Sequence, residues 1–156
     1  MQNQTQHWID EGNQVLMPTY ARFPLVLERG KGAGVTDVDG NVYLDFVSGV
    51  AVNALGHCDP ALVQQVQQQA ETLLHVSNLY YNLPQIMLAK ELVRHSFADK
   101  VFFCNSGAEA VEAAIKLARK YAKEKMQGDR FEIITAKSAF HGRPMAALAA
   151  TGQATY

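Results

Sequence analysis

The feature that most constrains this 156-residue chain is a strand–loop–helix–strand run in its second half. Lys100-Val-Phe-Phe-Cys104 is short and nearly all apolar, as a strand covered on both faces would be. Asn105-Ser-Gly-Ala108 follows, and then a helical pattern from Glu109 to about Lys125 with Ala110, Ala114, Leu117, Ala118 and Tyr121 as its apolar stripe. Glu109 and Glu112 stand near its start and Lys120, Lys123 and Lys125 near its end, the order the helix dipole prefers. Gly128 suits a C-terminal cap. Phe131-Glu-Ile-Ile-Thr-Ala136 reads as a second apolar strand, and a further helix is expected to begin near Pro144-Met145. Such a βαβ unit predicts parallel strands joined by a right-handed crossover. One unit cannot cover both faces of a parallel sheet, so the fold class is α/β with more chain, or another subunit, expected to complete it. The sequence thus reads as truncated, an N-terminal segment over 1–58 followed by the first part of a large α/β domain over 59–156.

The first half has its own signals. Pro24-Leu-Val-Leu-Glu28 reads as a strand, Gly30-Lys-Gly-Ala-Gly34 as a flexible break, and Val35–Asp39 with Val42–Phe46 as a β-hairpin turning at Gly40-Asn41. The three glycines do not make a dinucleotide-binding loop, because position 35 is valine and a strand rather than a helix follows. Asp59-Pro60 opens a helix whose stripe is Leu62, Val63, Val66, Ala70, Leu73 and Leu74, with a glutamine cluster on the wet side. Pro84 starts another, through about His95, with Leu88 and Leu92, and Ala89 and Val93, as i, i+4 pairs.

Composition removes several function classes. Fourteen basic against fifteen acidic residues give a net charge of −1, so there is no electrostatic case for nucleic-acid binding or a polybasic membrane anchor. The longest stretch without Asp, Glu, Lys or Arg, Thr72–Ala89, carries His75, Asn78, Asn82 and Pro84, which disqualifies it as a membrane span. The polar start shows no signal peptide, and a cytoplasmic location is expected. Cys58 and Cys104 form no CxxC, the five histidines lack zinc spacing, and buried reduced thiols are expected rather than a metal site.

In an open α/β sheet, ligands bind beyond the carboxyl ends of the strands. Two loops qualify here: Asn105–Ala108 and Lys137–Arg143. The first offers the Ser106 hydroxyl, the N–H groups of Gly107 and Ala108, and the positive end of a long helix to an anion, a phosphate first among them. Its plainer alternative is that Ser106 only caps the helix. A hydrolase nucleophile is weaker still, because GxSxG would need glycine at positions 104 and 108. The second loop carries Phe140, which can lie flat on a planar heterocycle, His141, and Arg143, which can fork onto a carboxylate. Singly, these read as a core ring, a loop histidine and a surface charge. Together they fit a flat phosphorylated ligand with an acidic co-substrate, a description that pyridoxal phosphate with an amino acid meets.

The residues themselves then carry a resemblance. Asn105-Ser-Gly-Ala-Glu-Ala-Val-Glu-Ala-Ala-Ile-Lys-Leu-Ala-Arg-Lys-Tyr121 resembles the phosphate-binding segment of class III pyridoxal-phosphate aminotransferases, and Ala139-Phe-His-Gly-Arg143 their next cofactor loop. Gly49–Cys58 and Ser77-Asn-Leu-Tyr-Tyr81 look like the acetylornithine branch of that family. The similarity runs from about Tyr20 to Tyr156. It implies a fold-type I transferase, normally a homodimer, moving an amino group from an ω-amino acid such as N-acetylornithine to 2-oxoglutarate in arginine biosynthesis. It implies that Ser106, Gly107 and Ala108 hold the cofactor phosphate, that Phe140 stacks on the pyridine ring with His141 beside it, that Arg143 takes the substrate carboxylate, and that Tyr20 lies near substrate. The family's cofactor-bearing lysine is expected beyond Tyr156, since it matches no lysine here, Lys116 and Lys137 included. No catalytic residue is therefore assigned, and the chain alone is expected to be inactive. Pro144 departs from the family's usual threonine or serine, and Val111 from a common asparagine. The alternative function is a non-catalytic module for pyridoxal phosphate or another phosphate ligand, or a remnant that needs a partner chain.

Overall fold

The computed structural model describes residues 4–126 and 130–155, in two compact units, 1–80 and 81–156. The first is built on a three-stranded antiparallel meander, β1 (Leu27–Lys31), β2 (Gly34–Asp37) and β3 (Val42–Leu44), in the order β1-β2-β3. The expected hairpin is there, with Thr36 opposite Val42 and Gly40 at φ +89° in its turn, a backbone that glycine adopts without steric cost. The expected first strand is displaced: β1 begins at Leu27, and Gly30, Lys31 and Gly34 belong to a tight β1–β2 hairpin instead of a flexible break. A strand follows the glycines, as expected, and not a helix.

Asp37 is the buried hub of the β2–β3 turn. Its carboxylate accepts the N–H groups of Asp39 and Asn41, the Asn41 side-chain amide at 2.9 Å and the Tyr43 hydroxyl at 2.8 Å. The Asn41 amide leads in holding its pKa below the ordinary 3.8, with the Tyr43 hydroxyl adding to it. Asp39, in the same turn, accepts the N–H groups of Gln4 and Thr5 and so caps α1 (Gln4–Val15). That helix has no counterpart in the sequence reading, because its cap comes from 34 and 35 residues away.

Beyond β3, Ser48–Ala51 (α2) forms a single left-handed turn, with φ of 50°, 63°, 63° and 62°. A left-handed backbone costs about 1–2 kcal/mol per non-glycine residue. Asp45 offsets part of that by accepting the N–H groups of Val47 and Ser48, and it is locked in turn by His57 Nε2 at 2.7 Å. The Ser48 N–H is the main reason the Asp45 carboxyl lies below its ordinary pKa, followed by His57. His57 also exchanges two backbone hydrogen bonds with Gly32 and lays its ring against Gly30.

A pH prediction follows. Asp37 and Asp45 have depressed folded pKa values, so the unfolded chain binds more protons around pH 4. Their contribution is complete above the ordinary carboxylate value and is lost as pH falls through it towards the folded values. Amide exchange protection of Asp39 and Asn41 is expected to hold from neutrality to about pH 4 and to fall below it. Asp37→Asn should remove that acid step; an unchanged step would refute the network as its cause.

Unit 81–156 contains α4 (Leu83–Arg94), α5 (Gly107–Lys125) and α6 (Met145–Ala150). These helices, and α3 (Pro60–Thr72) of the first unit, stand where the sequence places them. Asp59 caps α3, Asn82 caps α4 and Ser106 caps α5, each with a side-chain oxygen. Gly128, the expected C-terminal cap of α5, and Tyr156, beyond which the cofactor-bearing lysine is expected, both lie outside the described residues.

The expected parallel strand pair is not formed. Among the described residues neither 100–104 nor 131–136 enters a ladder, and the single parallel bridge joins Lys137 to Gly152. Strands flanking a helix pair only when adjacent, and each needs a neighbour for its backbone groups. The chain remains α/β, but its one sheet among the described residues is antiparallel and lies in the first unit.

Apolar stripes are likewise present but largely uncovered, only Ala89 and Val93 among their residues being half-buried. On α5, Leu117 and Tyr121 are exposed, whereas Ala108, Val111, Glu112, Ile115 and Ala122 are partly or fully covered. Leu62, Val66, Leu74, Leu88 and Leu92 are exposed as well. The accessible surface is 13880 Å², against roughly 7,800 Å² for a folded monomer of this mass and roughly 25,000 Å² unfolded. Cys58 and Cys104 are exposed free thiols, correcting the expectation of burial; Leu55 and Phe102, close to them along the chain, are exposed as well.

Candidate functional site

The second unit brings two loops to the amino end of α5. Ser106 sits at the N-cap with extended backbone, and its Oγ accepts the N–H of Glu109 at 3.2 Å. Glu109 reaches back, its Oε2 accepting the N–H of Asn105 at 2.6 Å. The capping reading of Ser106 is therefore realised, and its hydroxyl proton stays available to donate. Gly107 and Ala108 follow as the first two helical residues, whose N–H groups have no carbonyl within the helix to reach. A side chain begun at Gly107 would meet nothing within 4 Å. This end of α5 thus combines the dipole's positive pole, a hydroxyl donor, two N–H donors and open space beside them, as an anion cradle requires.

The second loop lies directly on the first. Gly142 has φ +126°, and a Cβ there would come within 2.7 Å of Ala108 Cβ and 3.2 Å of Ala147 Cβ. Only glycine lets the backbone approach α5 so closely. One turn further along α5, Glu112 Oε1 accepts the N–H groups of Ala146 and Ala147, each at 2.9 Å. It supplies the cap that α6 lacks, because Pro144 at the N-cap carries no acceptor side chain. Thr151 Oγ1 accepts the His141 N–H at 3.1 Å and donates to Ala147 O at 3.0 Å. Ser138 N–H donates to Gly152 O and Gln153 Nε2 to Ala139 O, closing residues 138–153 on themselves.

Six of the expected site residues therefore sit on two loops that meet at the Ala108–Gly142 contact: Ser106, Gly107, Ala108, Phe140, His141 and Arg143. Phe140 and Arg143 are exposed and His141 is half-buried. Tyr20 belongs to the other unit, on the stretch ahead of β1, and is exposed. Sequence reasoning missed Glu112 and Thr151 as ties. The one available signal was a helix starting at Met145 behind a proline, with no local acceptor for its first N–H groups.

Residues 16–156 match the family model for class-III aminotransferases, so the similarity begins slightly ahead of Tyr20 and reaches Tyr156. The acetylornithine aminotransferase of Caldanaerobacter subterraneus subsp. tengcongensis is 61% identical over 141 residues, covering 90% of this chain and 36% of the relative. The N-acetylornithine aminotransferase of Stenotrophomonas maltophilia K279a superposes with a TM-score of 0.74 at 43% identity, over 86% of this chain and 36% of that one. The ornithine aminotransferase of Toxoplasma gondii crystallised with oxidised glutathione, with PLP at partial occupancy in its active site, gives 0.80 at 32% identity, over 89% of this chain and 33% of that one. The chain spans little more than a third of the length of the curated relatives it matches. Among the described residues no helix is long and apolar enough to cross a membrane.

Proposed function

From its membership of the class III aminotransferases, the family to which this chain belongs, we propose that it forms the phosphate and ring side of a pyridoxal-phosphate transaminase site. The observation that carries the reading is the open anion cradle at the start of α5 with the Phe140–Arg143 loop packed against it through Gly142. The residues fit the group. Ser106 Oγ and the N–H groups of Gly107 and Ala108 would hold a phosphate dianion, Phe140 would take the ring with His141 beside it, and Arg143 a substrate carboxylate. Tyr20 is proposed as a substrate neighbour. When bound, the cofactor supplies an electron sink for charge developing on the amino-bearing carbon. This chain's share is to bind and orient.

The donor we propose is the ω-amino group of N-acetylornithine and the acceptor 2-oxoglutarate, in arginine biosynthesis in the cytoplasm, with a homodimer as the assembly. The names and the identity of the relatives support the choice of acetylornithine as donor. We also propose a boundary between an N-terminal segment (1–58) and the start of the cofactor domain (59–156).

Two measurements test the reading. In calorimetry the chain should bind pyridoxal phosphate at least about tenfold more tightly than pyridoxal, and Ser106→Ala should erase most of that margin. Equal affinities in the unsubstituted chain would defeat the cradle. Residues 16–156 placed in the Caldanaerobacter enzyme should support acetylornithine-dependent glutamate release within about tenfold of the parent. A folded, cofactor-loaded chimera without that activity would remove the acetylornithine assignment. The 156-residue chain itself is expected to show no turnover in the same coupled assay, because none of its lysines stands in the family's cofactor-lysine motif.

A further inference from the structure

We propose that Glu112 is a positioning residue whose Oε1, by holding the N–H groups of Ala146 and Ala147, fixes the Phe140–Arg143 loop relative to the Ser106–Ala108 cradle. The proposal rests on the reading of that pair of loops as one cofactor site. Arg143 is flanked by two attachments to the same helix: Gly142 lies against Ala108 on one side, and Ala146 and Ala147 are tied to Glu112 on the other. A third tie, Thr151 to the His141 N–H, holds the residue between Phe140 and Gly142. Of the three, only the Glu112 tie is a hydrogen bond to a side chain of α5. Residues 108 and 112 are one helical turn apart, so the spacing between the two attachments on α5 is that of a rigid helix.

A ligand with a phosphate at one end and a ring at the other then behaves as a bivalent ligand. Once one end is bound, the other meets its partner at a high effective concentration, provided the two subsites keep their separation. Loosening Glu112 should leave each subsite intact and remove the advantage of binding both.

The test compares pyridoxal phosphate and inorganic phosphate as probes, titrated by calorimetry into the full chain and three variants. Glu112→Gln keeps the reach and one carbonyl acceptor. Glu112→Asp keeps the charge but is one methylene shorter, and Glu112→Ala keeps neither. The expected result is that Glu112→Asp and Glu112→Ala lose about tenfold or more of the preference for pyridoxal phosphate over phosphate, whereas affinity for phosphate alone is unchanged and Glu112→Gln behaves as the parent. A merely structural role would weaken both probes together in Glu112→Asp, and a purely electrostatic role would spare it while impairing Glu112→Gln; either outcome overturns the proposal. An unchanged preference in Glu112→Asp overturns it and leaves the site reading intact. No preference in the parent chain overturns the site reading itself, and the proposal with it.

Discussion

Gly142→Val is expected to destabilise unit 81–156 by roughly 2–5 kcal/mol and to abolish binding of pyridoxal phosphate. Two costs combine. The first branch of any side chain would lie 2.7 Å from Ala108 Cβ and 3.2 Å from both Ala108 Cα and Ala147 Cβ, and these atoms belong to short side chains and backbone that cannot swing aside. The backbone at φ +126° is also one that an L-residue adopts only under strain. The loop must then lift from α5, and the Glu112 bonds to Ala146 and Ala147 go with it. Gly142→Ala should show the same direction with a smaller magnitude. Urea denaturation followed by circular dichroism measures the loss, with cofactor titration in parallel. Parent-like stability in Gly142→Val would mean that the loop does not rest on α5 as described.

Gly107→Asp should separate stability from binding. An acidic residue in the first turn is favoured by the helix dipole, by about 0.3–1 kcal/mol, and its side chain enters open space. The variant is therefore expected to be at least as stable as the parent. Its carboxylate, however, would stand where the phosphate belongs. Two unit charges 4 Å apart repel by about 4 kcal/mol at an effective dielectric constant near 20, so affinity for pyridoxal phosphate should fall by at least about a hundredfold. Affinity for pyridoxal should hardly change. If Gly107→Asp bound pyridoxal phosphate as the parent does, the anion would be held elsewhere.

What the sequence disclosed and what it hid follow one physical division. Helices closed by their own caps were legible, because Asp59, Asn82 and Ser106 lie within three residues of the N–H groups they serve. The β2–β3 hairpin was legible for the same reason, since its turn chemistry is local. Ties made from a distance were not: α1 is missed altogether, and the start of α6 is placed without the acceptor that holds it. The acceptor for α1 is Asp39 and that for α6 is Glu112, and no window along the chain joins them. The displaced start of β1 is a matter of register against β2, which propensity alone does not encode. Periodicity marked Leu117 and Tyr121 as apolar positions, but periodicity reports which face seeks cover and not what covers it. At the candidate site the donors Ser106, Gly107 and Ala108 were readable as a motif. That Gly142 is the point where the second loop touches the first was not, because it depends on a close approach between residues 34 positions apart.

The most direct measurement is a two-dimensional amide NMR titration of the chain with pyridoxal phosphate. The amides of Ser106, Gly107 and Ala108 and those of Phe140, His141 and Arg143 are expected to shift together, along one binding isotherm, with inorganic phosphate moving only the first group. If the two groups followed different isotherms, or the second stayed still at saturation, one coenzyme would not be spanning both loops.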